Sequence, residues 1–109
     1  GNVLVSADGP LLIDFDLMCR AATAWDHAML TTYADRWGGA PRVYAEFAAG
    51  YGRSFADDAL TVTVASLRNV AATLMRVRAG TSDEAARIEA ERRLRYWRDD
   101  PDAPQWRAQ

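Results

Sequence analysis

The sequence predicts a mainly α chain opened by a β-hairpin, an α+β arrangement of two short strands and about four helices. Three observations carry this. Two apolar runs, Val3–Ser6 and Leu11–Phe15, flank the turn residues Ala7-Asp8-Gly9-Pro10. From Thr23 onward, helix start and stop signals follow one another. Between Leu60 and Leu74, apolar residues recur in four- and three-residue steps over several turns.

The helical elements follow in order. Thr23 reads as an N-cap, with Asp26 at the third helical position beside the positive end of the dipole. That helix is expected to run to about Trp37, where Gly38-Gly39 stops it, and Pro41 starts the next. The second helix, roughly Pro41–Gly52, places Val43, Phe47 and Tyr51 on one stripe. Ser54 with Asp57-Asp58 supplies a third start. The third helix carries Leu60, Val64, Leu67, Ala71 and Leu74 as its expected core face, widened by Val62, Val70 and Val77. Gly80 ends it, and Thr81 with Glu84 matches a capping box. The last helix has Asp83/Arg87, Glu89/Arg93 and Glu91/Arg95 at four-residue spacing, each pair contributing about 0.2–0.5 kcal/mol when exposed. It is expected to be a solvated face anchored by Ile88, Leu94 and Trp97, with a loose polar tail after Pro101 and Pro104.

Chemistry gathers at the opening hairpin. Asn2 precedes the first strand and Asp14 falls in the second apolar run, so both can meet at one end of the hairpin. Their oxygens suit Mg²⁺, which takes only one or two protein ligands and fills the rest from water and phosphates. In kinases, an Asn and a following Asp do this work beside the transferring phosphoryl group. An ordinary hairpin with a turn-capping Asn and a strand-ending Asp is the simpler alternative.

Three motifs in order point to a family. Gly1-Asn2-Val3-Leu4, Ile13-Asp14-Phe15-Asp16 and Ala24-Trp25-Asp26-His27-Ala28 resemble the tail of HGDxHPGNVL, the hIDF(D/E) strand and the WDLA-like helix start of aminoglycoside phosphotransferases and related small-molecule kinases. The C-terminal RRLRYWRDDPDAPQWRA also has the look of that family. The resemblance implies the C-lobe end of a protein-kinase-like fold. Residues 1–22 would be the hairpin and metal-binding segment, and 23–109 the helical subdomain, parts of one truncated domain. It implies Mg²⁺ held by Asn2 and Asp14, ATP as co-substrate, and a small-molecule hydroxyl as phosphoryl acceptor. Asp26 would support the catalytic loop through backbone N–H groups, and Asp16 is a secondary candidate at a metal-bound water. The expected base, the Asp of HGD, would lie upstream of Gly1, together with the nucleotide-binding lobe. The chain is therefore expected to be an inactive C-terminal fragment, with that lobe as its missing partner. His27 departs from the Leu usual in the third motif. A non-catalytic helical interaction module is the alternative from another class.

Composition sets limits. All 13 cationic residues are Arg, and the formal net charge of −2 gives no basic footprint for nucleic acid. The single Cys19 rules out an internal disulfide and fits a reducing compartment. No apolar run approaches a membrane span, and a cytoplasmic protein is expected. His27 is the sole His, so no His-based metal cluster or Ser-His-Asp triad can be built, and a packing role is expected. The Arg92-Arg93-Arg95-Arg98 cluster resembles an anion patch, but interleaved acids favour a solvated helix. Asp35, Glu46, Asp57 and Asp58 are available to bind a polycationic substrate, and nothing selects among them. Removal of a partner lobe is expected to leave apolar surface exposed.

Overall fold

A computed structural model describes residues 3–14 and 19–107. Asn2, Asp16 and the Phe15 end of the second expected strand lie outside the described residues. β1 (Val3–Ser6) and β2 (Gly9–Leu12) form an antiparallel pair, with Val3 opposite Leu12 and Ser6 opposite Gly9. The turn is thus the two residues Ala7-Asp8, and β2 begins earlier than the sequence suggests. Gly9 supplies the positive φ of 115° that the tight reversal needs. Ser6 Oγ donates to the Gly9 carbonyl and accepts from the Asp8 N–H, which fixes the reversal. Pro10 fits because an edge strand can spare its missing N–H.

Five helices follow among the described residues: α1 (Ala24–Thr31), α2 (Tyr33–Trp37), α3 (Arg42–Tyr51), α4 (Ala59–Ala79) and α5 (Glu84–Trp97). The single helix expected from Thr23 to Trp37 is broken at Thr32, whose backbone leaves the helical range at φ −100°, ψ 2°. α2 ends on Gly38 in the left-handed conformation. Asp58 caps α4 by accepting from the Leu60 and Thr61 N–H groups. At α5 the cap is Asp83, accepting from Ala85 and Ala86, rather than Thr81. Thr81 instead donates to the Arg78 carbonyl. A Cβ on Gly80 would come within 2.8 Å of the Arg87 Cα, so glycine lets α5 fold back closely on α4.

The core does not use the face of α4 that its periodicity marks. Thr61, Ala65, Asn69 and Thr73 are buried, while Leu60, Leu67 and Leu74 are half exposed or more. α1 packs against α4 through small side chains, Ala24 and Ala28, which allow close approach. The buried polar atoms are partly satisfied. Thr73 Oγ1 donates to the Asn69 carbonyl and accepts from Trp97 Nε1, and Asn69 Nδ2 donates to Thr32 Oγ1.

α5 also reverses expectation. Ile88 and Trp97 are exposed, whereas Glu89 and Arg93 are each 2% exposed. Arg93 Nε donates to Glu89 Oε1 at 2.9 Å, and its other nitrogens donate to the Ala72 and Arg107 carbonyls. The guanidinium lies over the rings of Trp37 and Trp106, 4.7 and 5.3 Å from their centroids. Of the other expected pairs, Arg87 meets Glu84 and Glu91, and Arg95 meets Asp100.

The tail after Pro101 is a strap, not a loose end. Trp106 is buried and its backbone N–H donates to the Arg36 carbonyl. Gln105 Nε2 donates to the Ala34 carbonyl, and the Arg107 N–H to Glu89 Oε1. The tail thereby ties α2 to α5. Removing Glu89 would leave Arg93 charged, buried and unpaired. Glu89→Ala is expected to cost about 3–5 kcal/mol in urea unfolding; a loss below about 1 kcal/mol would show that the strap holds without the pair.

Candidate functional site

The cleft of interest forms where the end of the hairpin, the start of α1, α3 and the middle of α4 converge. Its volume is about 530 Å³, and Asp14, Cys19, Trp25, Asp26, Tyr51 and Arg68 are among its lining residues. Asp14 follows β2 by two residues and holds φ at +64°, a left-handed backbone that Asp tolerates better than most side chains. Its side chain is exposed and has no hydrogen bond or ion pair with the described residues.

Asp26 stands in the first turn of α1, as its position in the sequence suggests. It is exposed on the cleft rather than buried, and no described backbone N–H donates to it. Opposite it, Arg68 reaches across from α4. Its Nη1 donates to the Trp25 carbonyl at 2.9 Å, and its guanidinium sits 5.0 Å from the Trp25 ring centroid. Partial burial pulls the Arg68 pKa below its ordinary value, while Asp26 pulls it upward. Arg68 still stays charged, as arginines do.

His27 supports this cleft from behind. It is fully buried, with Nδ1 3.1 Å from the Tyr44 hydroxyl. The rings of Phe47, Tyr51 and Phe55 pack around it at 5.0, 4.6 and 4.7 Å. The Tyr44 hydroxyl also accepts from the Phe55 N–H, which closes the loop before α4 onto α3. His27 therefore packs α1 against α3, which is how Phe47 and Tyr51 come to wall the cleft.

Cys19 is exposed on the cleft rim. Asp35, Glu46, Asp57 and Asp58 do not line the cleft. The Arg92–Arg98 cluster is not a free anion patch, since Arg92 and Arg93 both face Glu89 and Arg95 pairs with Asp100. Arg68 is the residue that motif reading missed. No local motif marks it, because its partner Trp25 lies 43 residues away in the chain.

Among the described residues, no group of three His, Cys, Asp or Glu side chains gathers to hold a metal ion. Mg²⁺ does not require one, because phosphates and water complete its shell around one or two protein oxygens. With no partner among the described residues, the exposed Asp14 carboxylate is a hard oxygen donor of the kind such an ion takes, so the donor fits. Among the described residues no helix is long and apolar enough to cross a membrane. Comparison with protein-family models, curated proteins and solved structures gives no match.

A left-handed Asp held at a cleft stores backbone strain that glycine would relieve. Asp14→Gly is expected to leave thermal stability unchanged or raise it by up to about 1 kcal/mol. A clear loss would mean that the carboxylate holds the hairpin end in place.

Proposed function

We propose that this chain is the C-terminal part of an ATP- and Mg²⁺-dependent phosphotransferase, which moves the γ-phosphoryl group to a hydroxyl of a small molecule. The acceptor class is an aminoglycoside-like compound, an amino alcohol or a sugar. One observation carries the reading: Asp14, without a hydrogen-bond or ion-pair partner among the described residues, stands on a left-handed backbone and lines a cleft shared with Asp26. It is supported by the resemblance of Gly1–Leu4, Ile13–Asp16 and Ala24–Ala28 to three successive motifs of one kinase family.

On this reading, Asp14 and Asn2 are the protein's ligands to the metal. Bound Mg²⁺ supplies charge neutralisation on the nucleotide phosphates. Asp26 keeps a second negative charge on the same cleft, and Arg68 holds the Trp25 carbonyl and ring so that this wall does not shift. Phe47 and Tyr51 provide an aromatic side. The general base on this reading would be the Asp of an HGD segment preceding Gly1. Catalysis of this type consists of positioning and charge stabilisation, and a lost metal ligand damages turnover far more than folding.

The exposed apolar face of α4 favours a second reading, a helical interaction module without catalysis. One experiment separates them. The coding sequence upstream of Gly1 is restored, and phosphate transfer from ATP with Mg²⁺ is assayed on aminoglycosides, amino alcohols and sugars. Transfer is expected, and Asp14→Ala should lower it by at least about 100-fold with an unchanged circular dichroism spectrum. A variant of normal activity would overturn the assignment, and a restored protein that binds no ATP would favour the module.

A further inference from the structure

α4 turns a regular apolar edge away from the rest of the protein. Leu60, Leu67 and Leu74 are 50%, 59% and 61% exposed, and Val70 and Val77 are 39% and 40% exposed. Together with the exposed Thr63 they recur in alternating steps of three and four residues. The result is a seven-residue repeat through three heptads, with Leu at each first position and a β-branched residue at each fourth. A straight helix drifts about 20° per heptad against such a repeat. A strict seven-residue pattern keeps one seam facing a second helix wound around it. The opposite face of α4 already serves the core through Thr61, Ala65, Asn69 and Thr73, so the seam is additional to folding.

We propose that this seam docks on the same seam of a second copy of the chain, with the two α4 helices antiparallel. The 21-residue helix is about 31 Å long, which gives every heptad a partner. Charge sets the direction. Asp57 and Asp58 stand at the N-terminal end of α4, and the exposed Arg78 at its C-terminal end. Parallel copies would place like charges together. Antiparallel copies bring Arg78 of each beside Asp57 and Asp58 of the other, and oppose the helix dipoles favourably. Val64, Ser66 and Ala71, which flank the seam, carry no charge that would repel the partner.

A two-fold axis between Leu67 and Val70 then sets Leu67 against Val70, Thr63 against Leu74 and Leu60 against Val77. Every layer pairs a leucine with a β-branched residue, and the interface is self-complementary as two-fold symmetry requires. None of these residues lines the cleft, so the pairing stands independently of the phosphotransfer reading.

Sedimentation equilibrium of the 109-residue chain, from micromolar to hundreds of micromolar, tests this. A reversible monomer–dimer equilibrium is expected. Leu67→Glu should weaken it at least about 100-fold, with the circular dichroism spectrum unchanged because Leu67 is exposed in the monomer. Arg78→Glu should weaken the dimer, and adding Asp57→Arg should restore it, which reports the antiparallel direction. A chain that stays monomeric throughout overturns the proposal. So does a dimer indifferent to both single substitutions, which would place the contact on the hairpin. A dimer that disappears once the chain is extended upstream of Gly1 also overturns it, and gives the α4 seam to those upstream residues.

Discussion

The buried pair of Glu89 and Arg93 is the contact on which the helical part depends. Taking two charges out of water costs several kcal/mol for each ion, and attraction alone rarely recovers that cost. Here the remaining hydrogen-bonding capacity is used as well. Arg93 donates to Glu89 and to two backbone carbonyls, while Glu89 accepts from the Arg107 N–H and faces Arg92. Trp37 and Trp106 cover the guanidinium with ring faces. The pair thereby joins α5, α4, α2 and the tail at one point, which no single apolar side chain of that size could do.

The cleft inherits its shape from this frame. The strap holds α2, and α2 continues α1 across the break at Thr32. α1 carries Trp25, Asp26 and His27 on successive residues, so its pose decides where the cleft acid, the wall and the supporting imidazole fall. The small residues of α1 against Thr61, Ala65 and Asn69 let the two helices approach closely. Arg68 can then span from α4 to the Trp25 carbonyl. The hairpin is different in kind. Its strands are exposed, and what it contributes is one carboxylate on a left-handed backbone at the cleft edge.

Much of this was legible in the sequence where the signal is local. The hairpin, a helix start at Ser54 with Asp57-Asp58, the Gly38 and Gly80 stops and the Pro41 start follow from backbone chemistry confined to a few residues. The shift of the α5 cap from Thr81 to Asp83 is a competition between two good capping residues two positions apart, which tertiary packing decides. Partnership was not legible. Periodicity shows that α4 has an apolar face, but not whether this chain or another helix covers it. The spacing of Glu89 and Arg93 is the same whether the pair is solvated or buried, and Trp106, their cover, lies outside the helix. At the site, Asp14 and Asp26 were readable from motif position and do share the cleft. Arg68 was not, because it meets Trp25 across 43 residues of chain. Asn2 and Asp16, the other two site candidates, lie outside the described residues.

The proposed role of Asp14 as a ligand to the metal of a nucleotide complex is read most directly by paramagnetic broadening. The chain, extended upstream and labelled with ¹⁵N, would be titrated with Mn²⁺ and ATP. The account predicts that amide signals around Asp14 and Trp25 broaden, that those of the strap at Ala103–Arg107 do not, and that Asp14→Ala abolishes the effect. Broadening centred elsewhere, or equal in the variant, would contradict it.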